Sequence, residues 1–272
     1  MDSSDSQIGA YRLEEELGRG AMGIVFRAEP SSGGDAVAVK LLKEELSENE
    51  TFVRRFLREA RVAAEVEHPN LVRVLEAGEA NGRHYLAVEY IAGGTLRRRL
   101  DADGPLTLQQ TTRLARQVGT ALDALHEAGL VHRDVKPENV MLDEEGHALL
   151  ADYGLAKGPA YTVLTRPGQV MGTPAYMAPE LVNGAEATSS TDLYALGCVL
   201  FESLAGRPPF TGSNVFELLV SHVEREPPSV AAVRDDVPAS VDEVLGRALA
   251  KEAAGRPPTG RMLAHMLASA TS

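Results

Sequence analysis

The sequence predicts an α+β protein built from two lobes, a small antiparallel sheet with one helix and a larger, mainly helical lobe. Short apolar runs bounded by glycine or polar turns recur from Tyr11 to about Tyr90, with one amphipathic stretch among them. Long amphipathic stretches follow Gly93 and Gly94. The 272 residues are 44% hydrophobic, which suffices for one large domain or two small lobes.

The first lobe is expected to span residues 11–90, after a polar tail of residues 1–10. The stretch from Glu50 to Glu67 predicts its helix, because apolar side chains recur on one face. Glu59 falls on that face, and a carboxylate that faces a core needs a cationic partner. Three apolar runs are typical of strands: Ile24 to Phe26, Ala36 to Leu41 and Tyr85 to Val88.

The second lobe is expected to span residues 91–268 and to consist mainly of helices. The segment from Val131 to Ala156 alternates apolar, polar and turn residues, which indicates a loop and a small hairpin that carry chemistry. Three amphipathic stretches predict long helices: Thr107 to Ala128, Ser190 to Ala205 and Val241 to Lys251.

Charge and cysteine content narrow the function and the location. The 39 acidic and 27 basic residues give a net charge of −12, so we expect no binding to nucleic acid. A single cysteine, Cys198, cannot form an internal disulfide and suggests a reducing compartment. No apolar run of 18 or more residues occurs, so we expect no membrane contact from this segment. We expect a cytoplasmic protein, or the cytoplasmic domain of a longer, membrane-anchored one.

A glycine-rich motif runs from Leu17 to Val25. Gly18, Gly20 and Gly23 follow the spacing Gly-x-Gly-x-x-Gly, which lets backbone amides approach phosphates where a Cβ would obstruct them. An ordinary hairpin turn would have the same pattern. A dinucleotide site would need a helix to begin within the glycines, but strand-forming residues follow. The motif therefore predicts a strand, a glycine turn and a second strand.

Lys40 ends an apolar run in a chain that has only 5 lysines. Glu59, nineteen residues later, needs a cationic partner, and a Lys40–Glu59 pair would hold the ammonium against phosphate oxygens. The alternative is that both side chains are simply solvated.

The most specific motif is His-Arg-Asp-Val-Lys-Pro-Glu-Asn, from His132 to Asn139. Asp152-Tyr153-Gly154 begins thirteen residues after Asn139, and Ala178-Pro179-Glu180 comes next. With the glycine motif and the strand lysine, this ordered set resembles the eukaryotic-type protein kinases. The resemblance extends from Gly18 to Arg256 and implies the bilobal protein-kinase fold.

The resemblance implies transfer of the γ-phosphoryl group of ATP to a protein hydroxyl. Asp134 would accept or orient the hydroxyl proton, and Lys136 would neutralise the transferring group. Asn139 and Asp152 would hold Mg²⁺ or Mn²⁺ through oxygen ligands. The residues expected to be catalytic are Lys40, Glu59, Asp134 and Lys136.

The family resemblance also implies a nucleotide pocket. In this pocket, the backbone of the hinge segment between the two lobes recognises adenine, and apolar side chains sandwich its ring. Plain core packing of those side chains is compatible with this role. The residues expected to contact the nucleotide are Leu17, Gly18, Gly20, Gly23, Val25, Ala38, Lys40, Glu89, Ile91 and Met141.

Lysine two residues after Asp134 matches serine/threonine kinases, and the sequence from Phe56 to Ala60 resembles that of their bacterial branch.

The resemblance also implies supporting residues. Glu180 matches the glutamate that pairs with an arginine, here Arg256, and Asp192 matches the aspartate that steadies the catalytic loop. His132 is expected to be structural. Tyr153 departs from the phenylalanine usual after the metal aspartate.

Regulation is implied by Arg133, directly before the expected base. In relatives with this arginine, a phosphothreonine pairs with it and with a basic residue, here Lys157. We therefore expect autophosphorylation in trans, within a transient dimer, on Thr165 and also Thr162. A flexible polar loop without a switch is the alternative.

Two other functions would share part of this motif set. A nucleotide-binding scaffold without transfer activity is disfavoured because Lys40, Asp134, Lys136, Asn139 and Asp152 are all present. A small-molecule phosphotransferase of related fold would lack the long segment between the metal aspartate and Ala-Pro-Glu.

Overall fold

The computed structural model describes residues 7–153 and 174–271, which form two compact units. Unit 1 comprises the described residues up to Glu67 together with Val72–Ala92. Unit 2 comprises His68–Leu71 and the described residues from Gly93 onward. Unit 1 is mainly an antiparallel sheet and unit 2 is mainly helical, so the α+β prediction is confirmed.

Unit 1 is built on a six-stranded antiparallel sheet with the strand order β1-β2-β3-β4-β6-β5. Its core contains Ala28, Val39, Leu41 and Ala87, which are 0 to 2% exposed. The strands are β1 (Gln7–Ile8), β2 (Tyr11–Arg19), β3 (Gly23–Pro30), β4 (Val37–Leu42), β5 (Val74–Ala80) and β6 (Arg83–Glu89).

The predicted helix of unit 1 is α2 (Glu50–Ala64). It begins after Asn49, whose side chain accepts a hydrogen bond from the backbone N–H of Phe52 at 3.0 Å. The helix ends three residues before Glu67, so the predicted stretch was slightly too long. A short helix that the pattern did not predict, α1 (Glu44–Ser47), precedes it.

Unit 2 carries a two-stranded hairpin, which confirms the hairpin predicted after Val131. Its strands are β7 (Val140–Leu142) and β8 (Ala148–Leu150). The helices are α3 (Leu96–Asp103), α4 (Leu108–Glu127), α5 (Pro179–Val182), α6 (Ser189–Ala205), α7 (Val215–Glu224), α8 (Ala239–Ala248) and α9 (Gly260–Ala270). The three long helices that the sequence predicted correspond to α4, α6 and α8, with ends that differ by at most three residues.

Helices α4 and α9 pack with their backbones close together, because a Cβ on Gly119 would lie 2.7 Å from the carbonyl oxygen of Gly260. Asp123 of α4 accepts hydrogen bonds from the backbone N–H groups of Gly260 at 2.6 Å and Arg261 at 2.9 Å. This carboxylate satisfies the first turn of α9. Across residues 7–153 and 174–271, no helix is both long and apolar enough to cross a membrane.

Candidate active site

The glycine motif forms the turn between β2 and β3, as the sequence predicted. The N–H of Gly20 donates to the carbonyl of Gly23 at 2.8 Å. A Cβ on Gly23 would lie 1.9 Å from the carbonyl oxygen of Leu41, whereas nothing lies within 4 Å of a Cβ on Gly18 or Gly20. Gly23 is therefore required by packing against β4, and the other two leave room for close approach of a ligand to the backbone.

Lys40 lies in β4, paired with Val25 of β3 on one side and Leu86 of β6 on the other. Glu59 is only 6% exposed on α2, which confirms that its carboxylate faces inward. The Lys40–Glu59 ion pair stays a prediction.

The other expected nucleotide contacts lie on both units. Glu89 ends β6 and is held by Arg73, since each residue donates its backbone N–H to an oxygen of the other, at 3.0 and 2.7 Å. Ile91 follows in the same unit, and Leu17, 41% exposed, lies on β2. Val25 and Ala38 are half-buried on β3 and β4 of unit 1, and Met141 is half-buried on β7 of unit 2. Their contact with adenine stays a prediction.

The catalytic-loop residues of unit 2 converge on one carboxylate. The ammonium Nζ of Lys136 lies 2.8 Å from Oδ2 of Asp134, and Nδ2 of Asn139 donates to the same oxygen at 3.0 Å. Asn139 also donates to the backbone carbonyl of Asp134 at 2.8 Å. The side chains of Asp134 and Lys136 are 15% and 18% exposed, so the carboxylate is oriented but accessible.

Asp192 supports this loop from α6, as predicted. Its carboxylate is buried and accepts the backbone N–H groups of His132 and Arg133, each at 2.8 Å. Nε2 of His126 also lies 2.8 Å from Oδ2 of Asp192. Arg133 has a φ of 66°, a left-handed conformation that costs a non-glycine residue about 1 kcal/mol or more. The two hydrogen bonds to Asp192 hold the backbone in this conformation.

His132 ties the expected base to the residue before the metal aspartate. Its Nδ1 accepts the N–H of Asp134 at 3.2 Å, and its Nε2 lies 3.0 Å from the carbonyl oxygen of Ala151. A ring that accepts at one nitrogen and donates at the other is the neutral imidazole. The side chain is fully buried, which supports the structural role expected for it.

Asn139 and Asp152 offer oxygen donors of the kind that Mg²⁺ prefers. The N–H of Ala151 donates to the carbonyl of Asn139 at 2.8 Å, which joins the two segments. Because Nδ2 of Asn139 points to Asp134, its amide oxygen is left for another partner. Asp152 is exposed and has a φ of 61°. A carboxylate and an amide oxygen fit a magnesium ion that keeps phosphate and water ligands.

Tyr153 is 3% exposed, and its ring centroid lies 6.4 Å from that of His132. Arg133 is half-buried. The other residues expected to regulate activity, Lys157, Thr162 and Thr165, lie outside the described residues.

The predicted Glu180–Arg256 pair is confirmed and is bidentate, with both N···O distances at 2.7 Å. Burial acts to raise the pKa of Glu180, but the hydrogen bonds and charge of Arg256, together with hydrogen bonds from the backbone and Thr191, hold that pKa below its ordinary value. Arg256 also donates to the carbonyls of Ala250, Ser190 and Lys251.

Two supporting residues were missed by sequence reasoning. His126 contacts Asp192, and Oε1 of the buried Gln117 accepts the N–H of Ala148 in the hairpin at 3.1 Å. Both lie on α4. A polar residue within the apolar face of a helix is the signal that could have found Gln117.

Comparison with known proteins agrees with this arrangement. Residues 11–267 match the family model described as the protein kinase domain. The chain belongs to this family. The crystal structure of a point mutant of the Mycobacterium tuberculosis PknI kinase domain superposes with a TM-score of 0.79 and 31% identity, covering 100% of both chains. The predicted protein-kinase fold is therefore confirmed.

Two bacterial kinases are among the curated relatives of this kinase domain. Serine/threonine-protein kinase PknE of Mycobacterium tuberculosis is 40% identical over 90% of this chain and 43% of its own length. Serine/threonine-protein kinase PrkC of Bacillus subtilis is 36% identical over 90% of this chain and 38% of its own length. The predicted bacterial branch is confirmed, and the chain spans about two fifths of the length of these relatives. Protein kinases generally use ATP and a divalent metal ion.

Proposed function

We propose that residues 11–268 form the catalytic domain of a serine/threonine protein kinase that transfers the γ-phosphoryl group of ATP to protein substrates. The main support is the convergence of Lys136 and Asn139 on Oδ2 of Asp134, at 2.8 and 3.0 Å. This arrangement holds a base and a cation where a hydroxyl must lose a proton as it gains a phosphoryl group. We propose that the domain works in the cytoplasm, where ATP is available and Cys198 stays reduced.

Each residue of the loop has one task in this proposal. Asp134 accepts the proton of the serine or threonine hydroxyl while the hydroxyl oxygen forms a bond to the γ-phosphorus. The bond between the γ-phosphorus and the β–γ bridging oxygen breaks at the same time, and ADP is released. Lys136 neutralises the charge on the transferring group. Mg²⁺ or Mn²⁺, held by Asn139 and Asp152, would neutralise the charge of the phosphates.

Unit 1 supplies the nucleotide contacts in this proposal. The open space at Gly18 and Gly20 lets backbone amides approach the phosphates, and Lys40, oriented by Glu59, adds a positive charge. The backbone of Glu89 and Ile91 recognises the edge of the adenine base. The apolar contacts with the ring come from Leu17, Val25 and Ala38.

A direct assay tests this function. The purified chain is incubated with ATP, Mg²⁺ or Mn²⁺ and dephosphorylated casein, and phosphosites are mapped by mass spectrometry. We expect phosphoserine and phosphothreonine that depend on the metal and disappear in excess chelator, with Asp134→Asn as the blank. Absence of transfer from the wild type under all these conditions would contradict the proposal.

We further propose that the kinase activates itself by phosphorylating Thr165, and also Thr162, in trans. Arg133 and Lys157 are the cations that a phosphate with two negative charges would pair with. Trans-phosphorylation predicts that the wild type labels the inactive Asp134→Asn chain. Equal initial rates for phosphatase-treated, autophosphorylated and Thr162→Ala/Thr165→Ala protein would contradict activation.

A further inference from the structure

His222 is a buried imidazole on α7 that the proposed mechanism does not use. Its side chain is fully buried, and its Nδ1 lies 2.9 Å from the hydroxyl oxygen of Tyr194 on α6. The ring of Phe210 packs edge-on against the imidazole, with 4.9 Å between the centroids. Nζ of Lys251 donates a hydrogen bond to the carbonyl of His222 at 2.9 Å. Neighbouring segments of unit 2 therefore fix both the ring and the backbone of His222.

The second ring nitrogen, Nε2, is buried and makes no hydrogen bond of ordinary length and angle to any described residue. Burial lowers the pKa of His222 to about 4, the charge of Lys251 acts in the same direction, and the backbone of Ala175 acts to raise the pKa. A backbone group raises the pKa of an imidazole by accepting a hydrogen bond from it, which only the carbonyl can do. Because Nδ1 contacts Tyr194, the nitrogen that faces the carbonyl of Ala175 is Nε2.

The two neighbours of the ring determine which nitrogen carries the proton. With a pKa of about 4 the ring is neutral at neutral pH, and a neutral imidazole has one N–H. The carbonyl of Ala175 can only accept, so the N–H is at Nε2 and the hydroxyl of Tyr194 donates to Nδ1. A buried N–H without a full hydrogen bond is costly, so approach of Ala175 to α7 is favourable.

Ala175 belongs to a short turn, Pro174–Tyr176, that is connected to the catalytic loop. Helix α7 packs against this turn. The guanidinium of Arg97 donates to the hydroxyl of Tyr176 at 2.8 Å and to Oε1 of Glu138, a member of the catalytic loop, at 3.2 Å. An extended peptide advances about 3.3 Å per residue, so the neighbours of a hydroxyl that reaches the catalytic loop pass beside the turn.

We propose that His222 is a positioning residue for the peptide substrate, because its Nε2–H holds the turn Pro174–Tyr176 where residues next to the phosphate acceptor bind. His222 contacts neither ATP nor the reacting atoms in this proposal. Its loss therefore weakens binding of the peptide and leaves the chemical step unchanged. This inference rests on the proposed kinase function.

The test replaces one side of the imidazole at a time. His222→Gln keeps an N–H near the place of Nε2, whereas the shorter His222→Asn keeps a polar group only near the place of Nδ1. The substrate is a peptide that spans a phosphosite mapped in casein. At saturating ATP, we expect the KM for this peptide to rise about tenfold in His222→Asn and to stay within about twofold of wild type in His222→Gln. In both variants kcat and the KM for ATP should stay within about twofold of wild type.

Ser221→Ala is the matched control. Ser221 is also fully buried on α7, and its hydroxyl donates within the helix, to the carbonyl of Glu217 at 2.8 Å. An unchanged peptide KM in His222→Asn would overturn the proposal, as would an equal rise in Ser221→Ala or in His222→Gln. In each case the proposed kinase function would stand. No transfer by the wild type would overturn that function and this inference together.

A spectroscopic measurement does not depend on activity or on the stability of the variants. In wild type labelled with ¹⁵N, with His222 assigned through the backbone resonances, the imidazole proton should be at Nε2. A peptide with alanine in place of the phosphate acceptor should shift the Nε2 signal as the turn closes on α7. A proton at Nδ1, or an Nε2 signal that saturating peptide leaves unchanged, would overturn the inference.

Discussion

The glycine turn of unit 1 and the catalytic loop of unit 2 are built in opposite ways. The turn has a backbone hydrogen bond between Gly20 and Gly23, and the space around Gly18 and Gly20 is open. The catalytic loop is fixed by the buried side chains of Asp192 and His132. The difference shows where the chain leaves room for a ligand and where it fixes the position of a reacting group.

Backbone conformation differs between the two regions in the same way. Among residues 7–153 and 174–271, three non-glycine residues have positive φ, and two of them are Arg133 and Asp152, on either side of the hairpin. The three glycines of the turn have no positive φ. Glycine therefore serves there because it lacks a Cβ, whereas the catalytic loop holds strained backbone with buried hydrogen bonds.

The largest expected effect is in the fixed loop. Asp134→Asn conserves size but cannot accept a proton, so we expect kcat to fall by about two to four orders of magnitude. ATP binding and Tm should stay close to wild type. Steady-state kinetics and calorimetry measure these quantities, with the exposed Asp236→Asn as control. An Asp134→Asn enzyme with wild-type kcat would show that this carboxylate is not the base.

The second prediction removes the support of the loop. Asp192→Asn leaves one of two backbone N–H groups without its acceptor, so the free energy of unfolding should fall by about 2 to 4 kcal/mol. A smaller loss in kcat, about tenfold, should follow from the displaced loop.

Asp242→Asn separates the two effects of Asp192→Asn. Asp242 accepts the N–H of Val230 at 2.7 Å, far along the chain from the catalytic loop. Its loss should lower the stability measured by urea unfolding and leave kcat unchanged. If both variants changed kcat equally, Asp192 would have no special connection with the loop.

How much the sequence predicted depended on the distance between partners along the chain. The catalytic loop was predictable because Asp134, Lys136 and Asn139 lie within six residues, so one motif specifies them. Partners far apart were found only where the family resemblance supplied them, as for Asp192. Arg97 and Glu202, which are 105 residues apart, carry no local signal that they meet.

The secondary-structure elements were likewise predictable only where a local stretch of sequence carries the signal. The amphipathic helices of fifteen or more residues, α2 and α4, have enough turns to show their periodicity. Helix α6 is buried on nearly every face, so the amphipathic pattern expected for it was wrong although its position was predicted. The four residues of α1 span about one turn, which gives no repeat to detect. The grouping of His68–Leu71 with unit 2 depends on long-range contacts such as the hydrogen bond from Leu150 to Asn70, which local patterns do not encode.

The third prediction distinguishes the role of Gly23 in the glycine turn from that of Gly20. Gly23→Ala would place a Cβ 1.9 Å from the carbonyl oxygen of Leu41, so β3 must move away from β4. We expect a loss of about 1 to 3 kcal/mol in the free energy of unfolding and a higher KM for ATP. Gly20→Ala meets nothing within 4 Å, so its stability should stay within about 0.5 kcal/mol of wild type. Urea unfolding checks both, and equal losses would contradict the packing role given to Gly23.

The smallest effect concerns pH and the Glu180–Arg256 pair, which lies in unit 2 but outside the catalytic loop. The pKa of Glu180 is below its ordinary value of 4.5, because Arg256, the backbone and Thr191 together outweigh the opposing effect of burial. A carboxylate with a lowered pKa stabilises the fold fully above that ordinary value, and the contribution is lost as pH falls through the folded-state pKa. Glu180→Gln keeps one acceptor oxygen and has no charge to titrate. We therefore expect wild type to be the more stable protein near neutral pH, and the difference in unfolding free energy to shrink below about pH 4.5. Urea unfolding at a series of pH values measures this difference, and a gap that widens as pH falls would mean that Arg256 does not hold Glu180 in its charged form.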